Sequence, residues 1–125
     1  MPLFVVQSRR KENIPDAEYK AARQEHLRWQ FETEASGRLF AAGGLIDPAE
    51  GPPPRGGMYI VICEDERQAR AHAESDPYHA REIRDYTLHL WTLNESSFLG
   101  MGFRATLNGD DPSNPKYRPP AAGAS

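Results

Sequence analysis

The order in which hydrophobic periodicity changes along the chain is the strongest constraint on its fold. Across residues 3–93 six segments follow one another as strand, helix, strand, strand, helix, strand, the split βαβ arrangement. The last segment is the clearest. Residues 83–93 alternate, with Tyr86, Leu88 and Leu90 on one face and Thr87, His89 and Trp91 on the other. Residues 58–63, Met-Tyr-Ile-Val-Ile-Cys, form an unbroken apolar run of strand length, which implies that both of its faces are covered. The β-branched run of residues 3–7 makes a first strand and residues 38–46 a second, in which Gly43 and Gly44 read as a bend.

Between these strands the helix signals are local. Pro15 suits a first helical turn and Asp16 offers an acceptor to free amide groups, and nothing breaks the helix before Gly37. Leu27, Phe31 and Ala35, four residues apart, form its expected core stripe, with Ala17 and Ala21 nearby in angle. Asp65 is placed to cap a second helix with Gln68 completing the reciprocal pattern; Ala69 and Ala73 face inward and Pro77 ends it. The polar residues 8–13, including Arg9-Arg10-Lys11, read as a solvated turn. Residues 47–57, with four prolines and three glycines, read as a surface loop.

The fold class that follows is α+β: a ferredoxin-like split βαβ unit with a four-stranded antiparallel sheet and both helices on one face. The other face is then bare and apolar. Burial is worth roughly 25 cal/mol per Å², so a homodimer joined through its sheets is expected, enclosing a cavity for a small-molecule substrate. Residues 1–95 make this domain and 96–125 a C-terminal extension. Its first half, around residues 97–103, is apolar enough to dock, while residues 108–125 carry four prolines and read as extended or disordered.

Several function classes are disfavoured at once. With 15 basic and 18 acidic residues, net charge -3, the chain has no general attraction for nucleic acid. No apolar run is long enough to span a membrane, and residues 1–6 do not resemble a leader, so a cytoplasmic location is expected. Cys63 has no internal disulfide partner and reads as a small buried hydrophobe. Gly100-Met101-Gly102-Phe103-Arg104-Ala105 fits the dinucleotide glycine spacing but lacks the βαβ context that gives the motif meaning. His72, Asp76 and His79 are metal-compatible residue types, but Pro77 breaks the register that would align them, and no metal or other cofactor is expected.

Two residues remain that carry acid-base chemistry. Arg23 and His26, three apart on the long helix, project side by side. Histidine can exchange protons near neutral pH. A carboxylate on its second ring nitrogen would fix the tautomer and stabilise the imidazolium, and Asp76 is the candidate because both helices lie on one sheet face. The alternative is that Asp76 only caps the turn at Pro77.

Three stretches carry a family resemblance: Arg23-Gln24-Glu25-His26-Leu27, then Gly37-Arg38-Leu39-Phe40-Ala41-Ala42-Gly43-Gly44-Leu45, then Ala73-Glu74-Ser75-Asp76-Pro77-Tyr78. In this order they resemble the YCII-related family. The resemblance implies a dimeric α+β barrel with an active site at His26 and Asp76, and kinship by fold with muconolactone isomerases and a dehydrochlorinase of chlorinated hydroxyhydroquinones. It points to a cofactor-independent isomerase, lyase or dehydrochlorinase acting on a small cyclic or aromatic-derived compound. His26 and Asp76 would be catalytic, with Arg23, Ser75 and Tyr78 on the substrate. The alternative class is a non-catalytic dimer that binds a small ligand. The loop at 47–57 and the tail depart from the family pattern.

Overall fold

The computed structural model describes residues 1–97. The elements are β1 (Leu3–Arg10), α1 (Asp16–Ala35), β2 (Leu39–Leu45), β3 (Gly56–Ile62), α2 (Glu66–Ser75), a single-turn α3 (Pro77–Ala80) and β4 (Arg84–Trp91). The strands form one antiparallel sheet in the order β2-β3-β1-β4, so the ferredoxin-like topology expected from the periodicity is the one observed. The expected docking segment at 97–103, the glycine pattern at 100–105 and the extended tail lie outside the described residues, except for Ser97.

Period-two alternation assigns each side chain of the central strands to a face. Phe4 and Val6 of β1, with Tyr59 and Val61 of β3, meet Ala69 and Ala73 of α2 and Trp29 of α1 in the main core. The intervening residues Leu3, Val5, Met58, Ile60 and Ile62 lie on the opposite face, where Phe40, Trp91 and Leu93 pack over them. A third cluster joins α1 to α3 through Ala22, Tyr78 and Ile83.

The long helix turns a different face inward from the one its hydropathy suggests. Leu27 and Phe31 are 38% and 65% exposed, and Ala17, Ala21 and Ala35 are exposed too. The inward line is Ala22, His26, Trp29 and Thr33, all buried or half-buried at helical spacing. That line mixes small, polar and aromatic residues, so no apolar stripe marks it. A fully buried phenylalanine would be worth roughly 1.5–3 kcal/mol, which Phe31 does not realise; it stands on a cleft wall instead.

Other local expectations shift in instructive ways. β1 continues through Ser8 to Arg10, because as a central strand it has partners on both sides: Ser8 pairs with Gly57 and Tyr86, and Arg10 with Arg84. The basic triplet is therefore not wholly a solvated turn. Asp16 does not cap α1; its carboxylate takes Arg10 at 3.0 Å, and the first amides turn to the carbonyl of Pro15. Asp65 does cap α2, accepting from the Gln68 amide at 2.8 Å, while Gln68 Oε1 accepts from Glu64, one residue before the cap, at 2.7 Å. The bulge in β2 falls between Leu39 and Ala41, whereas Gly43 and Gly44 pair regularly with Met58 and Gly57. Gly44 is required by close approach: a Cβ there would lie 2.8 Å from Cγ of Pro54.

Candidate active site

A cleft of about 850 Å³ opens between α1, the β2–β3 edge and the loop carrying Pro53 and Pro54. Its α1 wall bears Tyr19, Arg23, His26, Leu27, Gln30 and Phe31; its floor includes Ser8, Tyr59, Tyr78 and Arg84. Leu27 and Phe31, expected in the core, are thus part of a cavity wall, while Ala17, Ala21 and Ala35 face outward.

Asp76 sits at the joint of α2 and α3. Proline cannot continue α2 because it has no amide hydrogen, and Asp76, extended at ψ 124, becomes the cap of the next turn. Its Oδ1 accepts from the Tyr78 amide at 3.0 Å and from Nδ1 of His26 at 2.8 Å. Capping and pairing, alternatives in sequence terms, are carried by one oxygen. Asp76 is fully buried, a costly position for a charge without such partners. Burial pushes its carboxyl pKa up, but the hydrogen bond and charge of His26, helped by His79 and the Tyr78 amide, outweigh this and hold it below the usual range.

The hydrogen bonds define the imidazoles. An ionised carboxylate only accepts, so His26 Nδ1 carries the hydrogen of the bond to Asp76. The ring is 16% exposed and lies on the cleft wall. It stacks on Tyr78 at 4.4 Å and lies 5.8 Å from Trp29. His79 is fixed by the same logic: Nδ1 donates to the Ala73 carbonyl at 2.7 Å, leaving Nε2 to accept from the Ser8 hydroxyl at 2.9 Å. Burial lowers the pKa of His79 and that of His72, keeping both neutral. Tyr59 lies beneath the pair. Burial, then the charge of Asp76, pushes its phenol far up, so it remains protonated.

The structure brings His26, Asp76, Arg23 and Tyr78 to one place, with Arg23 and Tyr78 on the cleft. Ser75 is not brought there. Its Oγ accepts from Trp29 Nε1 at 3.0 Å and donates to the His72 carbonyl at 2.6 Å, so it anchors the tryptophan beside His26. Arg10, Tyr19, Tyr59 and Arg84 were not evident as site residues from sequence. Arg84 had a signal: it shares the face of Tyr86 and Leu88, where an arginine on a core-facing register asks for a reason. Among the described residues no three His, Cys, Asp or Glu side chains are arranged to hold a metal ion.

Fold and cleft together define an α+β domain of the split βαβ class with a buried carboxylate behind a cleft-wall histidine. The sequence profile of the YCII-related domain matches residues 2–92, most of the chain, and the chain belongs to that family. Among solved structures it is similar to 5-chloro-2-hydroxyhydroquinone dehydrochlorinase (TftG) from Burkholderia phenoliruptrix AC1100, in complex with 2,5-dihydroxybenzoquinone. The TM-score is 0.61 at 15% identity, over 71% of this chain and 92% of that one, a likeness of fold. No curated protein matches the chain. No helix among the described residues is long and apolar enough to cross a membrane.

Proposed function

We propose that the cleft is the active site of a cofactor-independent enzyme that moves a proton on a small cyclic or aromatic-derived substrate. The observation that carries this reading is the 2.8 Å bond from His26 Nδ1 to a fully buried carboxylate, which leaves Nε2 as the base on the cleft side. In the proposed step Nε2 takes a proton from the substrate and the imidazolium formed is stabilised by Asp76. The same proton returns to another atom in an isomerisation, or stays while chloride or another anion departs in an elimination. Fold kinship with a dehydrochlorinase supports the second outcome. The domain of residues 1–95 acts in this reading as a homodimer joined through the apolar face around Val5, Met58 and Ile60.

The test is turnover of chlorinated hydroquinones and small lactones, followed by chloride release and absorbance, with His26→Ala beside the wild type. Loss of turnover in the variant supports the assignment, and equal turnover removes His26 from the mechanism. A second reading has an observation of its own. Asp76 also caps α3 and His26 also stacks on Tyr78, contacts that a non-catalytic ligand-binding dimer would need equally. That reading predicts a lower melting temperature for His26→Ala with no wild-type turnover on any compound of the panel.

A further inference from the structure

The cleft carries more positive charge than its own carboxylates balance. Arg10, Lys20, Arg23 and Arg84 line it, against Asp16 and Glu34. Arg10 is already committed, bonding to Asp16 and to the Ile14 carbonyl, both at 3.0 Å. Arg84 is not. Its Nε donates to the Tyr19 hydroxyl at 3.2 Å, and no carboxylate among the described residues pairs with it. Arg23 likewise has no partner among them.

The position of Arg84 argues for a ligand. It stands directly opposite Arg10 in the β1–β4 register, and like charges facing each other across a strand pair are destabilising. Aromatic rings hold both guanidinium groups: Arg10 lies 4.1 Å over Tyr19, and Arg84 4.1 Å over Tyr78. A guanidinium oriented in this way has less freedom to lose when an anion binds its donor fork. Tyr78 stacks on His26 as well, so the cation and the base share a neighbour. Arg23 arrives at the same tyrosine from α1, and its charge and that of Arg84 both act on the Tyr78 hydroxyl. Leu27 and the exposed ring of Phe31 line the same cleft, on the α1 wall that carries Arg23 and His26.

We propose that Arg84, assisted by Arg23, binds the anionic group of the substrate, and that the substrate class is a planar ring bearing a carboxylate or an ionised enol. The ring lies against Leu27 and Phe31 within reach of His26. The assignment rests on the reading of this cleft as a substrate site and deepens it.

The experiment is calorimetric titration with 2,5-dihydroxybenzoate and with hydroquinone, its counterpart without the carboxylate, on wild type, Arg84→Gln, Arg84→Lys, Arg23→Gln and His26→Ala. The wild type binds the carboxylate at least about tenfold more tightly, as expected for charge-assisted hydrogen bonds, and Arg84→Gln brings the two ligands to within about threefold. Arg84→Lys, which keeps stem and charge without the fork, gives an intermediate ratio and carries the test if the glutamine variant does not fold. Arg23→Gln lowers the ratio by a smaller factor. His26→Ala keeps it, so failure of the proton-transfer reading would not be mistaken for failure of this one. Equal affinity of the wild type for both ligands, no binding of the carboxylate, or an unchanged ratio in both Arg84 variants would overturn the proposal.

Discussion

Replacing Asp76 by asparagine takes one negative charge from a fully buried position while keeping the shape of the side chain. The amide oxygen can still accept from the Tyr78 amide, so the cap at α3 survives. What goes is the charge-assisted part of the bond to His26, 2.8 Å long, and hydrogen bonds to charged groups contribute about 1.5–3 kcal/mol. The expected loss is about 2 kcal/mol at pH 7, a fall in Tm of roughly 10 °C for a domain of this size. Asp76→Ala removes the cap as well and leaves a buried donor unpaired, for about 3–5 kcal/mol. The pH dependence identifies the cause. The carboxyl is held below its unfolded value, so its contribution is complete above the ordinary carboxylate range and is lost as pH falls through the lowered value. Urea unfolding of wild type and Asp76→Asn, followed by circular dichroism from pH 7 into the acid range, should show the gap between them closing. A gap below about 0.5 kcal/mol at pH 7 would refute the reasoning, as would one that stays constant into acid.

The inward face of α1 makes a second test: Phe31→Ser should cost under about 1 kcal/mol and Trp29→Ala about 3 kcal/mol or more, measured by thermal melts. His72 and His79 are kept neutral chiefly by burial, so the unfolded chain binds protons first on acidification. Stability should therefore fall as pH drops from about 6.5, and a melting temperature unchanged between pH 7.5 and 5 would contradict this. Gly44→Ala drives a Cβ to within 2.8 Å of the Pro54 ring and should cost about 1–3 kcal/mol. Gly43→Ala meets nothing within 4 Å and should be near neutral by the same melts.

The order and type of the elements were legible because strand alternation and helix caps are local signals, and the observed sheet order follows from them. The orientation of α1 was not. Its inward residues include His26 and Thr33, whose polarity hides the face, while Phe31 and Leu27 advertise a core they do not enter. The end of β1 was missed for a related reason. Ser8 and Arg10 are polar because their side chains meet His79 and the cleft, not because the strand has stopped. His26 and Asp76 could be paired in thought only through the fold, being fifty positions apart. Ser75, in the same motif as Asp76, accepts from Trp29 through its hydroxyl, a contact between residues 46 positions apart that no local pattern marks.

Proton transfer in the cleft depends on which nitrogen of His26 bears the hydrogen. Long-range proton–nitrogen correlation spectra of the imidazole rings at neutral pH read this directly and need no substrate. The expected result is a neutral His26 tautomer with its hydrogen at Nδ1 and a lone pair at Nε2, and loss of that tautomer preference in Asp76→Ala. A wild-type ring protonated at Nε2 would leave no base facing the cleft and would contradict it.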